Sequence, residues 1–516
     1  MNKRLNANEE FKAKKADINR LLLHVCCAPC LASALAKLKN IDVTCFYYNP
    51  NIMPKLEWQR RLTAVKTLID AINAGKFGKE YRKFDLVVVD NGSSAFFDAI
   101  KGDELLGEHT QRCTKCIGFR LKKTAEWAQK NGFNYFATTL TSSAQKNSEL
   151  INSIGTLCGG EGYVATDFKK DNGALESKEI CARLGLYRQN YCGCGLPEKE
   201  QPTKNFLDIL NTPFKIGKLK IKNRLLLAPM AGWTDVGFRR VAAECGAGYT
   251  TTEMVSAKAL VFESKKTLEL LATTESEKIK AVQLFGSDAG VISKAANLKE
   301  LQKFDIIDLN MGCPMPKIVK NGDGSALMDN LNKASEIIST LRASTNKPIT
   351  VKFRKGGKTE NAIEFAAMCE KSGADALIVH GRTRQQMYAG ENDFEVIKQI
   401  ASSVKIPVIV SGDILTREEA AWALHYTGAA AVMIGRGAVG NPGIFGKQIS
   451  NKDAIKMQLE TDSIFLGEKK AAIECKKHIA NYFRGTSGAT KIKMAVLLAK
   501  TTEEILSLVE NYTENI

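Results

Sequence analysis

Short apolar runs alternate with helical patterns along the first 200 residues of the chain. Two segments, Leu56–Ala74 and Phe119–Lys130, repeat their apolar positions with helical periodicity. The apolar runs have the length of strands and lie at Leu21–Val25, Val43–Tyr48, Leu86–Val89 and Tyr135–Thr139. Strands that alternate with helices pair in parallel, so this part is predicted to be an α/β domain with a parallel sheet.

The same order of strand and helix occurs eight times between residues 212 and 450. The strand candidates are Leu225–Ala228, Tyr249–Thr252, Ala281–Leu284, Ile306–Leu309, Ile349–Lys352, Ala376–His380, Val408–Ser411 and Ala431–Ile434. Eight consecutive βα units predict a (β/α)8 TIM barrel, in which the chemistry takes place at the carboxyl ends of the strands. Residues 451–516 contain no strand pattern and are predicted to form a small C-terminal helical domain.

A polar stretch with two prolines, residues 196–202, coincides with a fall in cysteine density. The chain has 516 residues. A single core rarely organises more than about 250–300 residues, so several domains are expected. We predict the α/β domain over 1–197, a linker over 198–211, the barrel over 212–450 and the helical domain over 451–516.

The formal net charge of +17 favours polyanionic partners, although charge alone does not separate RNA from DNA or an acidic membrane. Within residues 469–500, eight basic side chains are opposed only by Glu474. They are Lys469, Lys470, Lys476, Lys477, Arg484, Lys491, Lys493 and Lys500. The helical domain is therefore a candidate surface for a nucleic acid.

No uncharged apolar stretch approaches the ~18–20 residues that a membrane span needs, so no membrane partner is expected. The nearest candidate for a signal peptide is the apolar run over residues 21–36, which His24 and three cysteines interrupt. We therefore expect the protein in the cytoplasm.

Ten of the 14 cysteines precede residue 200, which in a reducing compartment suggests metal or redox chemistry. Cys26 and Cys27 directly follow a strand, and Cys113 and Cys116 open a helix, so two pairs can meet at one edge of the sheet. Four thiolates there could hold zinc or an iron–sulfur cluster. Adjacent cysteines fit a tetrahedral zinc site poorly, whereas separate irons of a cluster can each take one.

The other cysteines of this domain are predicted to differ in role. Cys192 and Cys194 flank a glycine, which permits a tight loop and suggests a dithiol that cycles through a disulfide. Cys30 is either a further metal ligand or part of the first turn of a helix. Residues without a pairing pattern are interpreted as packing residues: Cys45, Cys158 and Cys181, together with His24 inside its strand.

In the barrel, polar and special residues gather at the strand ends. They are Pro229, Met230 and Ala231, Gln283, Asn310 and Cys313, Lys352, His380, Ser411, Gly412 and Asp413, and Gly435 and Arg436. Their placement on one rim defines a single site. Glycine beside arginine after the eighth strand suits a phosphate. A buried lysine such as Lys352 needs an anion beside it, which a reduced flavin ring supplies.

Four segments of the barrel resemble the tRNA-dihydrouridine synthases, most closely the bacterial DusB-type enzymes. They begin at Leu227 (LAPMAGWTD), Val282 (VQLFG), Asp308 (DLNMGCP) and Val379 (VHGRTR), and the resemblance covers residues 214 to the C-terminus. It implies that FMN is held by Pro229, Met230, Ala231, Gln283, Lys352, His380, Ser411, Gly412, Asp413, Gly435 and Arg436. Ser411 departs from the family, which more often has asparagine before Gly-Asp.

The resemblance also implies a reaction on tRNA. NADPH reduces FMN, the flavin passes a hydride to C6 of a uridine, and the thiol of Cys313 protonates C5. A cysteine with an ordinary pKa of about 8.5 is mostly protonated at neutral pH, as this role requires.

The N-terminal domain resembles the QueH-type epoxyqueuosine reductases over Arg20–Cys194. The segments that carry this resemblance begin at Leu22 (LLHVCCAPC), Tyr47 (YYNPN), Arg112 (RCTKC), Thr138 (TTLT) and Leu186 (LYRQNYCGC). By resemblance, Cys26, Cys27, Cys113 and Cys116 ligate a 4Fe-4S cluster, and Cys192 with Cys194 forms a redox-active pair. The implied reaction removes the epoxide oxygen of epoxyqueuosine at the tRNA wobble position, with two electrons from an unidentified donor.

Three other interpretations are open. The barrel could be an FMN oxidoreductase of a free pyrimidine, such as a dihydroorotate dehydrogenase, although the basic tail favours a polyanionic substrate. The N-terminal domain could be an ATP-dependent tRNA thiolation enzyme, but Cys26 and Cys27 stand where a phosphate loop would follow the first strand. The chain could also be a non-catalytic RNA-binding protein, against which the intact Cys313, Lys352 and six N-terminal cysteines count.

Overall fold

The computed structural model describes residues 7–90, 92–143, 145–189, 191–197, 205–486 and 488–512. Two compact units divide between Phe206 and Leu207. This boundary falls inside the predicted linker 198–211, of which residues 198–204 lie outside the described residues. Phe206–Asn211 forms a short 3-10 helix.

The N-terminal unit is built on four parallel strands in the order β3-β2-β1-β4, which confirms the predicted parallel α/β domain. The strands are β1 Arg20–His24, β2 Asp42–Tyr47, β3 Phe84–Val88 and β4 Phe136–Thr138. The helices are α1 Ala7–Lys14, α2 Ala28–Ala34, α3 Lys55–Asn73, α4 Ser94–Ala99, α5 Gln111–Lys130, α6 Ser148–Gly159 and α7 Gly173–Leu184.

The strand β1 forms the centre of this sheet and is buried over Leu21–His24. A strand covered on both faces needs a continuous apolar run, which Leu21–Val25 supplies. The chain proceeds from β1 outward to β2 and β3, and then returns to place β4 on the other side of β1. Such a change of direction leaves a crevice at the carboxyl ends of the two strands, the usual place for a site in an open α/β sheet.

The second unit contains the predicted TIM barrel, in which eight parallel strands run in the order β7-β14-β13-β12-β11-β10-β9-β8. They are β7 Leu225–Leu227, β8 Thr250–Ser256, β9 Lys280–Phe285, β10 Ile306–Met311, β11 Ile349–Gly356, β12 Ala376–Thr383, β13 Val408–Ser411 and β14 Ala431–Ile434. Hydrogen bonds from Gly248 N to Leu225 O (2.7 Å) and from Leu227 N to Tyr249 O (3.1 Å) join β7 to the chain entering β8 and close the barrel.

A hairpin that the sequence analysis does not predict precedes the barrel. Its antiparallel strands are β5 Phe214–Ile216 and β6 Leu219–Ile221. Phe214, Ile216 and Ile221 pack with buried strand residues such as Tyr249 and Ile306. Gly217, in the turn, lies against Asp375, which precedes β12. The hairpin therefore fills the amino-terminal end of the barrel and leaves the carboxyl rim for the site.

Helices surround the barrel and follow it. Those of the barrel are α8 Val236–Glu244, α9 Ala257–Val261, α10 Lys265–Glu269, α11 Ala289–Ala296, α12 Pro316–Lys320, α13 Leu331–Ser344, α14 Ala362–Lys371, α15 Phe394–Ser403 and α16 Arg417–Thr427. The C-terminal helical part comprises α17 Asn451–Leu466, α18 Glu468–Tyr482, α19 Ala489–Leu498 and α20 Thr502–Glu510, as predicted. Among the described residues, no helix is long and apolar enough to cross a membrane.

Candidate active sites

The rim of the barrel brings Cys313 beside Asn310, just after β10. The side-chain oxygen of Asn310 accepts hydrogen bonds from the backbone N–H groups of Gly312 (3.1 Å) and Cys313 (2.9 Å). The thiol itself is half-buried, and this burial raises its pKa. Cys313 is thus held in its protonated form at neutral pH, the form that can give a proton.

Gln283 and Asp308 lie buried beneath this loop. The Gln283 amide accepts a hydrogen bond from Asn310 (2.8 Å) and donates one to the Asp308 carboxylate (2.6 Å). Asp308 also accepts from the hydroxyl of Thr350 (2.6 Å). The role of Asp308, which begins the DLNMGCP segment, cannot be predicted from the sequence, because nothing in a sequence shows which polar side chains meet inside a barrel.

The ammonium of Lys352 faces this group from β11. Burial, together with the neighbouring Arg354, lowers the pKa of Lys352 to about 8. The Asp308 carboxylate opposes that shift, yet across the described residues no hydrogen bond or ion pair involves the ammonium. A half-buried cation at the barrel mouth fits an anionic ligand, so the residues present fit a flavin ring.

The end of β12 carries His380, which is neutral. Burial, followed by the charge of Lys352, holds its pKa well below the usual range. Arg382 Nη1 lies 3.2 Å from His380 Nε2. Because a guanidinium only donates, Nε2 accepts and the imidazole proton sits on Nδ1. Arg382 lies in the VHGRTR segment, but the sequence does not indicate that it contacts His380.

Each carboxylate oxygen of Asp413 accepts a hydrogen bond from an arginine. Arg382 donates to Oδ2 at 2.7 Å and Arg436 to Oδ1 at 3.1 Å. The side chain of Asp413 thus orients two guanidinium groups, one buried and one 58% exposed. The exposed Arg436 follows β14, where the barrel fold commonly binds phosphate.

Two glycines of the rim are required for close approach. Gly412 has φ +109°, and a Cβ there would lie 2.7 Å from His380 Cδ2. A Cβ on Gly435 would lie 3.2 Å from the sulfur of Met230. Gly435 therefore sits beside the loop that carries Pro229, Met230 and Ala231, while Ser411 ends β13 directly before Gly412. The predicted rim residues thus occupy the carboxyl ends of the strands.

The N-terminal unit has a cavity of about 640 Å³. Five cysteines line it: Cys26, Cys27, Cys30, Cys113 and Cys192. Cys26 and Cys27 leave β1, the central strand, and Cys30 lies in α2. Cys113 and Cys116 lie in α5, and Cys116 is buried. The cysteine motifs of β1, α5 and the Cys192 loop thus meet at this cavity.

Three thiols of this cavity form a tight group. The Sγ atoms of Cys26, Cys27 and Cys30 all lie within 4.8 Å of one another. Cys30, whose role the sequence left open, therefore belongs to the thiol group. Cys113 lines the same cavity without belonging to that group, so the four-ligand set Cys26, Cys27, Cys113 and Cys116 stays a prediction.

Cations surround these thiols. Burial acts to lower the pKa of Lys146, but the negative charge of Cys192, Cys26 and Cys30 outweighs it and the net shift is upward. The same balance raises the pKa of Arg120, beside Cys116 and Cys192. Neither residue could be singled out from the sequence, since both sit among many surface lysines and arginines. A thiolate-rich cavity with adjacent cations fits an anionic iron–sulfur cluster.

Cys192 and Cys194 form a hydrogen-bonded pair with opposite pKa shifts. The hydrogen bond with Cys194, aided by Lys146 and Arg120 against burial, lowers the pKa of Cys192. The same bond raises the pKa of Cys194. Cys192 is thus the thiolate and Cys194 the thiol that donates to it, which is the arrangement of a reactive dithiol.

A buried ion pair anchors the loop that carries this dithiol. Arg61 donates to Glu57 at 2.6 Å, with both side chains 3% exposed. Arg61 also donates to the carbonyl oxygen of Cys192 at 2.9 Å. Gly193 has φ +99°, and a Cβ there would lie 2.5 Å from Arg61 Nη2. The glycine between the two cysteines thus lets the loop close onto Arg61.

His24 has a structural environment. Its Nδ1 lies 2.9 Å from the hydroxyl of Thr138 and its Nε2 lies 3.2 Å from the carbonyl oxygen of Tyr48. Burial lowers the pKa of His24 to about 3, so the ring is neutral. Cys45 and Cys181 pack in the hydrophobic core, and Cys158 packs beside Ile154.

Comparisons with known proteins assign both units. The profile of the dihydrouridine synthase (Dus) family matches residues 226–516, and that of epoxyqueuosine reductase QueH matches residues 21–200. The tRNA-dihydrouridine synthase B of Pasteurella multocida (strain Pm70) is 35% identical over 315 residues, which cover 58% of this chain and 95% of the relative. A probable tRNA-dihydrouridine synthase of Rickettsia conorii is 37% identical over 302 residues, covering 55% and 91%. Among solved structures, histamine dehydrogenase from Rhizobium sp. 4-9 superposes with a TM-score of 0.40 and 13% sequence identity. The match covers 60% of this chain and 66% of the dehydrogenase, and this similarity is too low to support a statement about function.

The family matches, on a chain that contains a TIM barrel, define the class of the protein as an oxidoreductase. The chain belongs to the dihydrouridine synthase family, with a QueH-type module fused before the barrel. Both recognised resemblances are confirmed, and the chain is a tRNA-modifying reductase.

The packing of Arg61 against Gly193 predicts a sharp difference between two glycine variants. Gly193→Ala places a methyl group against Arg61, so it should weaken both folding and the position of the dithiol. Gly185→Ala is the matched control, because Gly185 has φ +60° and a Cβ there meets nothing within 4 Å. It should cost only the ~1–2 kcal/mol of left-handed backbone strain. Thermal unfolding measures the effect on folding. Equilibration of the Cys192–Cys194 dithiol with glutathione measures the effect on the position of the dithiol. Equal behaviour of both variants would contradict the anchoring role.

Proposed function

We propose that the two units carry out two separate reductions on tRNA. The N-terminal unit reduces epoxyqueuosine to queuosine at the wobble position. The C-terminal unit reduces uridine to 5,6-dihydrouridine with FMN and NAD(P)H. The observation that carries this proposal is that each unit has a reactive cysteine in its own polar site: Cys192 in the thiol cavity and Cys313 at the barrel rim.

In the barrel, we assign FMN to the rim residues that the resemblance names. Lys352 and Gln283 would face the flavin ring, and Arg436 with the backbone of Gly412 and Gly435 would hold the phosphate. When bound, FMN supplies hydride transfer between NAD(P)H and the uracil ring. The family match favours this proposal over an oxidoreductase of free pyrimidines.

Cys313 acts in this proposal as the general acid. Addition of a hydride at C6 leaves negative charge toward C5, and the Cys313 thiol gives its proton there. The raised pKa of Cys313 keeps that proton available at neutral pH. Asn310 holds the Cys313 backbone, so the thiol faces the same rim as Lys352.

In the N-terminal unit, we keep Cys26, Cys27, Cys113 and Cys116 as the proposed ligands of a 4Fe-4S cluster. Cys30 lies close enough to Cys26 and Cys27 to join or replace one of them. When bound, the cluster would supply electron transfer. An external reductant of unidentified nature must provide the two electrons that each turnover consumes.

The dithiol balances the epoxide reduction. Oxidation of the Cys192 thiolate and the Cys194 thiol to a disulfide releases two electrons and one proton, and a second proton comes from solvent. The epoxide takes up the two electrons and two protons, loses its oxygen as water and leaves a carbon–carbon double bond. Lys146 and Arg120 stabilise the Cys192 thiolate beforehand. Reduction of the disulfide restores the pair.

The helical domain is proposed to bind the tRNA backbone, but its basic residues are not equivalent. Lys476 donates to the carbonyl oxygens of Leu497 (2.9 Å) and Ala499 at the end of α19, which is a structural role. Lys470 pairs with Glu269 and Lys477 with Glu474. The exposed Lys469, Arg484 and Lys491, together with the partly buried Lys493, are the better candidates for phosphate contacts. A tRNA substrate agrees with the predicted cytoplasmic location.

The first test separates the two chemistries with one cysteine variant in each unit. Cys313→Ala should keep FMN and its reduction by NADPH, while uridine reduction falls by ~10²–10⁴-fold, the usual cost of a lost general acid. Epoxyqueuosine reduction should persist. Cys192→Ser should give the reciprocal result. Nucleoside analysis of tRNA treated with each purified variant measures both products.

A loss of both products from either single variant, with the protein folded and its cofactors bound, would overturn the proposal of independent sites. Cys45→Ser is the matched control, because Cys45 is fully buried in the hydrophobic core of the N-terminal unit. Both reductions should survive this change.

The second test concerns tRNA binding by the helical domain. Replacing Lys469, Arg484, Lys491 and Lys493 by glutamine should weaken binding and flatten its dependence on salt, because fewer counterions are released. NADPH oxidation without RNA should be unchanged. The matched single variant Lys476→Gln should lower thermal stability and leave the salt slope as it is. Unchanged affinity of the fourfold variant would exclude this surface.

A further inference from the structure

A continuous hydrogen-bond relay connects the buried core of the barrel to Cys313. It starts at Asp308, which is 1% exposed and accepts from Gln283 Nε2 at 2.6 Å. Gln283 Oε1 accepts from Asn310 Nδ2 at 2.8 Å. Asn310 Oδ1 then accepts from the Cys313 backbone N–H at 2.9 Å. Four residues on β9, β10 and the loop after β10 thus form one chain of donors and acceptors.

The donor-to-acceptor direction of the hydrogen bonds in this relay is set at its buried end. A carboxylate can only accept, so Gln283 must turn its NH2 group toward Asp308 and its oxygen toward Asn310. Asn310 must then point its NH2 group inward, which leaves its oxygen for the N–H groups of Gly312 and Cys313. The backbone N–H groups of Gly312 and Cys313 require the same direction from the other end, because they can only donate. Asp308 supplies the acceptor that satisfies this direction at the buried end.

The surroundings keep Asp308 an acceptor. Its second oxygen accepts from the Thr350 hydroxyl at 2.6 Å. Burial raises the pKa of Asp308 to about 6, against the opposing effects of Thr350, Gln283 and Lys352. At neutral pH the group is therefore mostly ionised. Such buried polar networks specify a single arrangement when every member is satisfied.

We propose that Asp308 is a positioning residue for the dihydrouridine reaction: it sets the direction of the Gln283 and Asn310 amides and so holds Cys313 where its thiol meets the pyrimidine. This inference rests on the proposed function of Cys313 and deepens it. Asp308 is 1% exposed and acts on Cys313 through the relay, while its charge also favours the protonated form of Lys352.

Asp308→Leu tests the relay by removing its buried acceptor with a side chain of similar size. The Gln283 NH2 group then loses its partner, so the Gln283 oxygen no longer holds the NH2 group of Asn310 in place, and Asn310 no longer fixes the Cys313 N–H. Uridine reduction should fall by ~10–10²-fold, the effect of a small misplacement of a reacting group. In flavin-free protein, Cys313 should alkylate faster with iodoacetamide, read by mass spectrometry of the Cys313 peptide, because its loop has lost its anchor.

Two further variants separate positioning from mere stability. Thr350→Val removes the other bond to Asp308 but leaves the relay direction intact, so Cys313 alkylation should stay native. The near-isosteric variant Asp308→Asn keeps the relay but removes the charge. Its side-chain oxygen can accept from Gln283 while its NH2 group donates to the hydroxyl oxygen of Thr350. Cys313 alkylation in the flavin-free protein should therefore stay near the native rate.

The inference is overturned if Asp308→Leu matches Thr350→Val in both alkylation and uridine reduction. It is equally overturned if Asp308→Asn alkylates as fast as Asp308→Leu. Should Asp308→Leu fail to fold, Gln283→Met takes its place in the alkylation experiment, because it breaks the same relay one residue further along. Failure of the proposed function of Cys313 gives a different result. In that case Cys313→Ala would reduce uridine at the native rate, independently of the results for the Asp308 variants.

Discussion

Parallel strands all end at one edge of a sheet, and both units of this protein depend on that constraint. In the N-terminal unit, the order β3-β2-β1-β4 opens a crevice beside the central strand, and Cys26 and Cys27 emerge there. In the barrel, the edge closes into a ring, so eight strand ends face one centre. A hairpin with Phe214 and Ile216 fills the other end. Side chains far apart in sequence, such as Gln283 and Cys313, are thereby brought together.

Charged side chains with little exposure to water determine which ligands each site can bind. Burial of a charge is costly unless an opposite charge or hydrogen bonds compensate it. In the barrel, Lys352 is half-buried near Asp308 without a bonded partner among the described residues, and its lowered pKa reflects that cost. In the thiol cavity, Lys146 and Arg120 lie among cysteines, whose negative charge raises both pKa values. The first arrangement suits an incoming anionic ring and the second suits thiolates or a cluster.

The sequence predicted the architecture well because periodicity reports local burial. The strand Leu21–Val25 and the eight barrel strands were found from their apolar runs alone. The rim residues and the six N-terminal cysteines were visible in the sequence as strand-end residues and cysteine pairs, and the resemblance to known families implied a role for each. Neither signal could find the contacts between distant side chains: the closeness of Cys30 to Cys26, the anchor of Arg61 on the Cys192 loop, and the relay from Asp308. The structural use of Lys476 was also hidden, since in sequence it resembles its exposed neighbours.

One chain is proposed to perform two tRNA reductions in separate units, and nucleoside analysis of total tRNA from cells that lack this protein measures both products at once. Dihydrouridine should fall, and queuosine should be replaced by epoxyqueuosine in the same tRNA preparation. An unchanged level of either queuosine or dihydrouridine, in cells with no second enzyme of that family, would contradict the proposal.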